Sequence, residues 1–134
     1  MTKENVLFRF VPTMRCNFRC EYCFVENQIK SNGPTMFDDR SVDEWVEAMK
    51  KFSDRNVELY FWGGEPFCID QTYDLLREWT KMDHIISGFR IDTNTYFAEK
   101  IAKECPSNKM KLNCSYHMQY HSLQEEFDKI KLLK

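Results

Sequence analysis

Val57-Glu58-Leu59-Tyr60-Phe61-Trp62-Gly63-Gly64-Glu65-Pro66 opens as a β-rich run and stops in two adjacent glycines and a proline. The first six residues read as a strand and the last four as its punctuation. Upstream, Ser41 and Glu44 form a Ser-x-x-Glu capping box. Val42, Trp45, Val46, Met49 and Phe52 then recur at helical spacing, which predicts a helix over 41–53. Further upstream, Val6-Leu7-Phe8-Arg9-Phe10-Val11 reads as a strand that ends at Pro12. Between them, residues 12–40 form a long loop holding Cys16, Cys20 and Cys23, and long ordered loops in compact domains are usually functional.

Downstream the alternation continues. Asp70 is placed to cap a helix with Tyr73, Leu76, Trp79 and Met82 on one face. A short strand follows near 89–93, and Thr95 is placed to cap a helix with Phe97, Ala98 and Ile101. A fourth strand is expected over 110–116. Ser122 and Glu125 make a second capping box, opening a helix whose apolar face is Leu123, Phe127, Ile130 and Leu133. Four β-α units in succession imply right-handed crossovers, an α/β fold and a parallel sheet. Ligands in such folds sit at the carboxyl ends of the strands. The cysteine loop follows the first strand and the double glycine follows the second, so both unusual motifs fall at that end.

Composition bounds the function. The chain has 134 residues and a net charge of −2, with 19 Lys and Arg against 21 Asp and Glu, so nucleic-acid binding is not expected from charge. No run approaches the ~18 apolar residues of a membrane span, and the N-terminus lacks the apolar core of a secretory signal. A cytoplasmic location is the expectation. There the six cysteines stay reduced, and a cluster of them reads as metal-binding or catalytic.

Cys-x3-Cys-x2-Cys can converge on one soft metal centre. The spacing does not suit a structural zinc site, which needs four closed ligands, normally as Cys-x2-Cys pairs. A cubane held by three cysteines leaves one iron open to a substrate or cofactor. The bland alternative is a helix with the three cysteines facing a core; Arg15, Asn17, Arg19 and Glu21 between them, and Pro12 upstream, favour a loop. Gly63 and Gly64 lack a Cβ and allow a ligand close to the backbone, with Glu65 as a carboxylate for an ammonium group. The alternative there is a simple turn.

The run from Cys16 to Cys23, with Tyr22 in its aromatic slot, resembles the cluster loop of radical S-adenosylmethionine (radical SAM) enzymes. Gly63-Gly64-Glu65-Pro66 is similar to that family's glycine motif after the second strand, and the two lie about 40 residues apart in the family's order. The resemblance covers the whole chain in β/α order. It implies a partial parallel (β/α) barrel, with about four β/α units present of the family's six. It implies that Cys16, Cys20 and Cys23 hold a [4Fe–4S] cluster whose open iron chelates the methionine part of S-adenosylmethionine. Gly63, Gly64 and Glu65 would meet its amino group, Pro66 would complete that cofactor-binding motif, and Tyr22 would lie near the adenine. The reduced cluster would cleave the C5′–S bond to methionine and a 5′-deoxyadenosyl radical that abstracts hydrogen from a substrate. Asn94, in the Thr93-Asn94 pair after the third strand, would face the cofactor, or serve only as a turn or cap residue. Ser115 and His117 near the fourth would contact the ribose, or play no such part. A low-potential donor such as flavodoxin or ferredoxin would supply the electron.

The Gly-Gly-Glu-Pro form occurs among relatives that act on peptides or proteins, so a peptide or protein substrate is preferred. The competing function is a non-catalytic iron–sulfur or metal-binding module, which has no need of the glycine motif. The chain is expected to be a single radical SAM core domain, 1–134, cut short at its C-terminus, because the final Leu132-Leu133-Lys134 carries no Gly or Pro stop. Cys68, Cys105 and Cys114 read as small buried residues, and His84 and His121 as isolated surface or core residues. Asp38-Asp39 and Glu125-Glu126 suit helix starts, and Lys129, Lys131 and Lys134 a solvated helix face.

Overall fold

In the computed structural model, residues 2–133 are described; Lys134 lies outside them. Four strands, β1 (Glu4–Phe10), β2 (Arg55–Phe61), β3 (Ile86–Thr93) and β4 (Met110–Cys114), form one parallel sheet in the order β1-β2-β3-β4. Five helices connect or follow them: α1 (Asn27–Asn32), α2 (Val42–Met49), α3 (Asp70–Trp79), α4 (Ala98–Glu104) and α5 (Leu123–Leu132). Short 3-10 turns cover Lys50–Phe52 and Pro66–Cys68. Strands in sequential order joined by helices imply right-handed crossovers; the core packs α2, α3 and α4 against one face of the sheet, while α1 folds against the cysteine loop. That is the arrangement of a partial β/α barrel.

The alternation of side chains along the strands divides the two faces. Phe8 and Phe10, then Val57, Leu59 and Phe61, then Phe89 and Ile91, then Met110 and Leu112, point toward the helices. They pack with Tyr73, Leu75, Leu76 and Trp79 of α3 and with Ile101 of α4. The opposite face is polar and open. Glu58 pairs with Arg90 at 2.7 Å, and Asp92 accepts hydrogen bonds from Tyr60 at 2.7 Å and Asn113 at 2.9 Å. Parallel sheets normally bury both faces; this one leaves one face wet, as the lumen of an incompletely closed barrel would be.

Some local expectations hold and others are corrected. Both capping boxes form, at Ser41 with Glu44 and at Ser122 with Glu125. Asp70 does not cap α3: it is the first helical residue, and its carboxylate pairs with Lys100 at 2.7 Å. Thr95 does not cap α4, which starts from Phe97. β4 ends at Cys114, so residues 115–117 lie beyond the strand and the two-residue alternation no longer governs them. The side chain of Asp38 caps a turn through Thr35 instead of starting a helix. α1 interrupts the long loop without apolar periodicity to announce it. Leu123 and Phe127 of α5 are 56% and 53% exposed, so only the far end of its apolar stripe, at Leu133, packs against the core.

Candidate functional site

The cysteine loop is held in place by backbone it was not expected to touch. After β1, the chain bridges Thr13 to Thr35, and Cys16 N–H donates to the Lys30 carbonyl at 2.9 Å, so α1 folds back against the loop. On the other side, Gly64 N–H donates to Thr13 O at 3.0 Å and Glu65 N–H to Arg15 O at 2.8 Å. This pairing explains the glycines. Gly63 has φ +120°, and a Cβ on Gly64 would stand 2.1 Å from Arg15 O and 2.5 Å from Met14 O. The chain's own backbone occupies the space a side chain would need.

A third clamp comes from the segment after β4. Phe18 is buried and stacks on Tyr120, with ring centroids 4.0 Å apart and planes 8° from parallel. Arg19 N–H donates to the Tyr120 hydroxyl, and Glu21 N–H to Gln119 Oε1 at 3.3 Å. Tyr22 stacks on His117 at 6.0 Å, its hydroxyl hydrogen-bonded to Nδ1. The Cys20 thiol lies 3.4 Å from the same nitrogen. Phe18, Gln119 and Tyr120 escaped the sequence reading. The one available signal was the aromatic and histidine density of 116–121.

Together these segments enclose a cavity of about 340 Å³ at the carboxyl ends of the strands. Cys16, Cys20, Cys23 and Tyr22 line it, with Gly63, Gly64, Glu65, Asn94, Ser115 and His117. The exception among the expected residues is Pro66, which is buried in the 3-10 turn behind Glu65 and is absent from the lining. Cys68, Cys105 and Cys114 do not line it either; burial pushes Cys68 up to about 12 and Cys105 up to about 11, so both stay protonated thiols.

Glu65 is almost completely enclosed. One carboxylate oxygen accepts from Thr93 Oγ1 at 2.9 Å and Phe67 N–H at 3.3 Å, and the other from Asn94 N–H at 2.5 Å. Burial outweighs these hydrogen bonds and raises its pKa to about 7. Asn94 gives its amide to Asn17 Oδ1 at 2.9 Å and accepts from Tyr96 N–H at 3.1 Å. Its Nδ2 is 3.9 Å from the Cys16 thiol. Burial raises the Cys16 pKa, opposed by the Phe18 N–H, and lowers that of His117.

Behind this wall, Thr95 has φ +63°, a left-handed conformation rare for a β-branched residue. Its hydroxyl meets the Glu126 carboxylate at 2.7 Å, and His121 Nε2 meets the same oxygen. His121 is therefore not isolated, and Glu126 is an inward-facing carboxylate in addition to lying in the first turn of α5.

The donor set discriminates between kinds of metal centre. Among the described residues, no three of His, Cys, Asp and Glu converge on a single ion position. A cubane takes each thiolate on a different iron, so its three ligands stand farther apart than those of one ion. Three half-buried thiols that line one cavity without converging on a single ion position suit such a centre better than a single ion.

A family model described as the Radical SAM superfamily matches residues 10–131. No curated protein sequence matches the chain. Among solved structures, the chain is similar in fold to Streptococcus suis SuiB, seen in a crystal structure bound to the precursor peptide SuiA. The two are 20% identical with a TM-score of 0.53, over 82% of this chain and 24% of that one. The chain thus spans about a quarter of that neighbour's length. Among the described residues, no helix is long and apolar enough to cross a membrane.

Proposed function

The chain belongs to the radical SAM superfamily, and on that premise we propose that it is a radical SAM enzyme or the cofactor-binding half of one. The observation that supports this most is a single cavity that brings the Cys-x3-Cys-x2-Cys loop and the Gly-Gly-Glu turn together from different strands. On this reading Cys16, Cys20 and Cys23 hold a [4Fe–4S] cluster, and S-adenosylmethionine fills the rest of the cavity. Once reduced by one electron from an external donor, the cluster held there would supply reductive cleavage of the C5′–S bond of S-adenosylmethionine and so radical chemistry on a substrate hydrogen.

The chain's own residues then have distinct tasks. Gly63 and Gly64 present backbone to the methionine amino group. Asn94 and His117, each near a cysteine sulfur, hydrogen-bond and orient what binds beside them, and Ser115 and Tyr22 flank the nucleoside. Phe18, stacked on Tyr120, keeps water from behind the loop. The polar face of the sheet, with Glu58, Arg90 and Asp92, offers the substrate a hydrogen-bonding floor. A peptide or protein substrate is the preferred class, supported by the precursor peptide bound to the SuiB neighbour. A flavodoxin- or ferredoxin-like donor in the cytoplasm would deliver the electron.

Anaerobic reconstitution tests the reading. About four irons per chain should bind, the electron paramagnetic resonance (EPR) spectrum of the reduced cluster should change on adding S-adenosylmethionine, and 5′-deoxyadenosine should form. A cluster whose spectrum ignores S-adenosylmethionine would instead establish a non-catalytic iron–sulfur module.

A further inference from the structure

Lys30 sits in α1, is 3% exposed, and lines the cavity beside the cysteines. Among the described residues, no carboxylate forms an ion pair with its ammonium and no hydrogen bond reaches it. The stem is buried while the nitrogen is not among the fully buried polar atoms, and an ammonium held in so confined a place is normally paired. The acidic residues of the cavity are already engaged: Glu65 by Thr93, Phe67 and Asn94, and Asp92 by Tyr60 and Asn113. Among the described residues, no other Lys or Arg lines the cavity. The carbonyl of Lys30 accepts from Cys16 N–H, which ties this residue's backbone to the first cysteine.

We propose that Lys30 is the carboxylate-binding residue of this cavity, its ammonium pairing with the α-carboxylate of the methionine part of S-adenosylmethionine. The assignment rests on the reading of the cavity as an S-adenosylmethionine site. An α-amino acid brings one cation and one anion. The glycine turn faces the first with backbone, and Lys30 supplies a positive side chain for the second. Lysine suits this because its compact ammonium carries three donors on a long apolar stem that can stay buried. Sequence reading passed over it because nothing in the pattern separates Lys30 from a solvated lysine of a short helix.

The test compares S-adenosylmethionine with its decarboxylated analogue by anaerobic equilibrium dialysis against the cluster-loaded chain. The wild type should favour the carboxylate-bearing ligand. Lys30→Met should reduce that preference about 30-fold or more, the scale expected when one partner of a buried charge pair is removed. It should leave the affinity for the decarboxylated analogue nearly unchanged, and Lys30→Arg should restore part of the preference. Should the Met variant fail to hold iron, Lys30→Gln is the second neutral variant. If neither holds a cluster, or if a neutral variant shifts the ligand-free EPR spectrum while keeping the preference, Lys30 serves the cluster and the assignment is overturned. Equal weakening of both ligands, or none, also overturns it. A wild type that holds the cluster but binds neither ligand overturns the reading of the cavity itself.

Discussion

Glu65 lies beneath the cavity with both oxygens committed to Thr93, Phe67 and Asn94. Its pKa, raised by burial from 4.5 to about 7, makes stability depend on pH in a stated direction. Between these values the folded chain keeps a proton that the unfolded chain releases, so stability falls as pH rises from about 4.5 to 7 and is flat above. The loss is on the order of 3 kcal/mol. Urea midpoints of the cluster-free protein at pH 5 and pH 8 should show this difference in the wild type and much less of it in Glu65→Gln. The residue type was legible in the sequence as part of a motif. Its burial was not, because two of its three donors, Thr93 and Asn94, stand at the end of β3 and reach it only through the sheet. The same holds for Thr95, whose left-handed backbone and bond to Glu126 override the helix-capping preference its sequence position suggests.

Elements were legible where local chemistry decides them. Both Ser-x-x-Glu boxes form as read, and Ser41→Ala and Ser122→Ala should each cost about 1 kcal/mol of unfolding free energy in denaturant titrations. α1 was not legible, because six residues with one apolar side chain carry no period, and its position depends on backbone bonds to the cysteine loop. The turn after β2 behaves as part of that loop. Gly64→Ala places a Cβ into two carbonyl oxygens and should cost upwards of about 2 kcal/mol, the range of strained or overpacked sites. It should also lower iron uptake on reconstitution. Gly88→Ala, whose Cβ would meet only Lys109 O at 3.3 Å, should stay within about 1 kcal/mol and keep full iron content.

For the whole molecule, the β-α order, the parallel sheet and the common end of both motifs followed from pattern alone, since strands separated by helices leave few topologies. The outward face of α5 did not follow: Leu123 and Phe127 repeat like core residues yet stand in solvent. Phe127→Lys should therefore shift stability by no more than about 0.5 kcal/mol, whereas Phe61→Ala, in the fully buried centre of the sheet, should cost about 3–5 kcal/mol. Thermal and denaturant unfolding of the pair would locate the true core. The close approach of Gly64 to Arg15 and Met14 also bears on how such chains diverge. A descendant that lost its chemistry would still be held to glycine there by its own backbone. Survival of the double glycine therefore reports that the fold persists, and the record of lost or kept activity has to be sought at positions the empty fold does not need, Lys30 first among them.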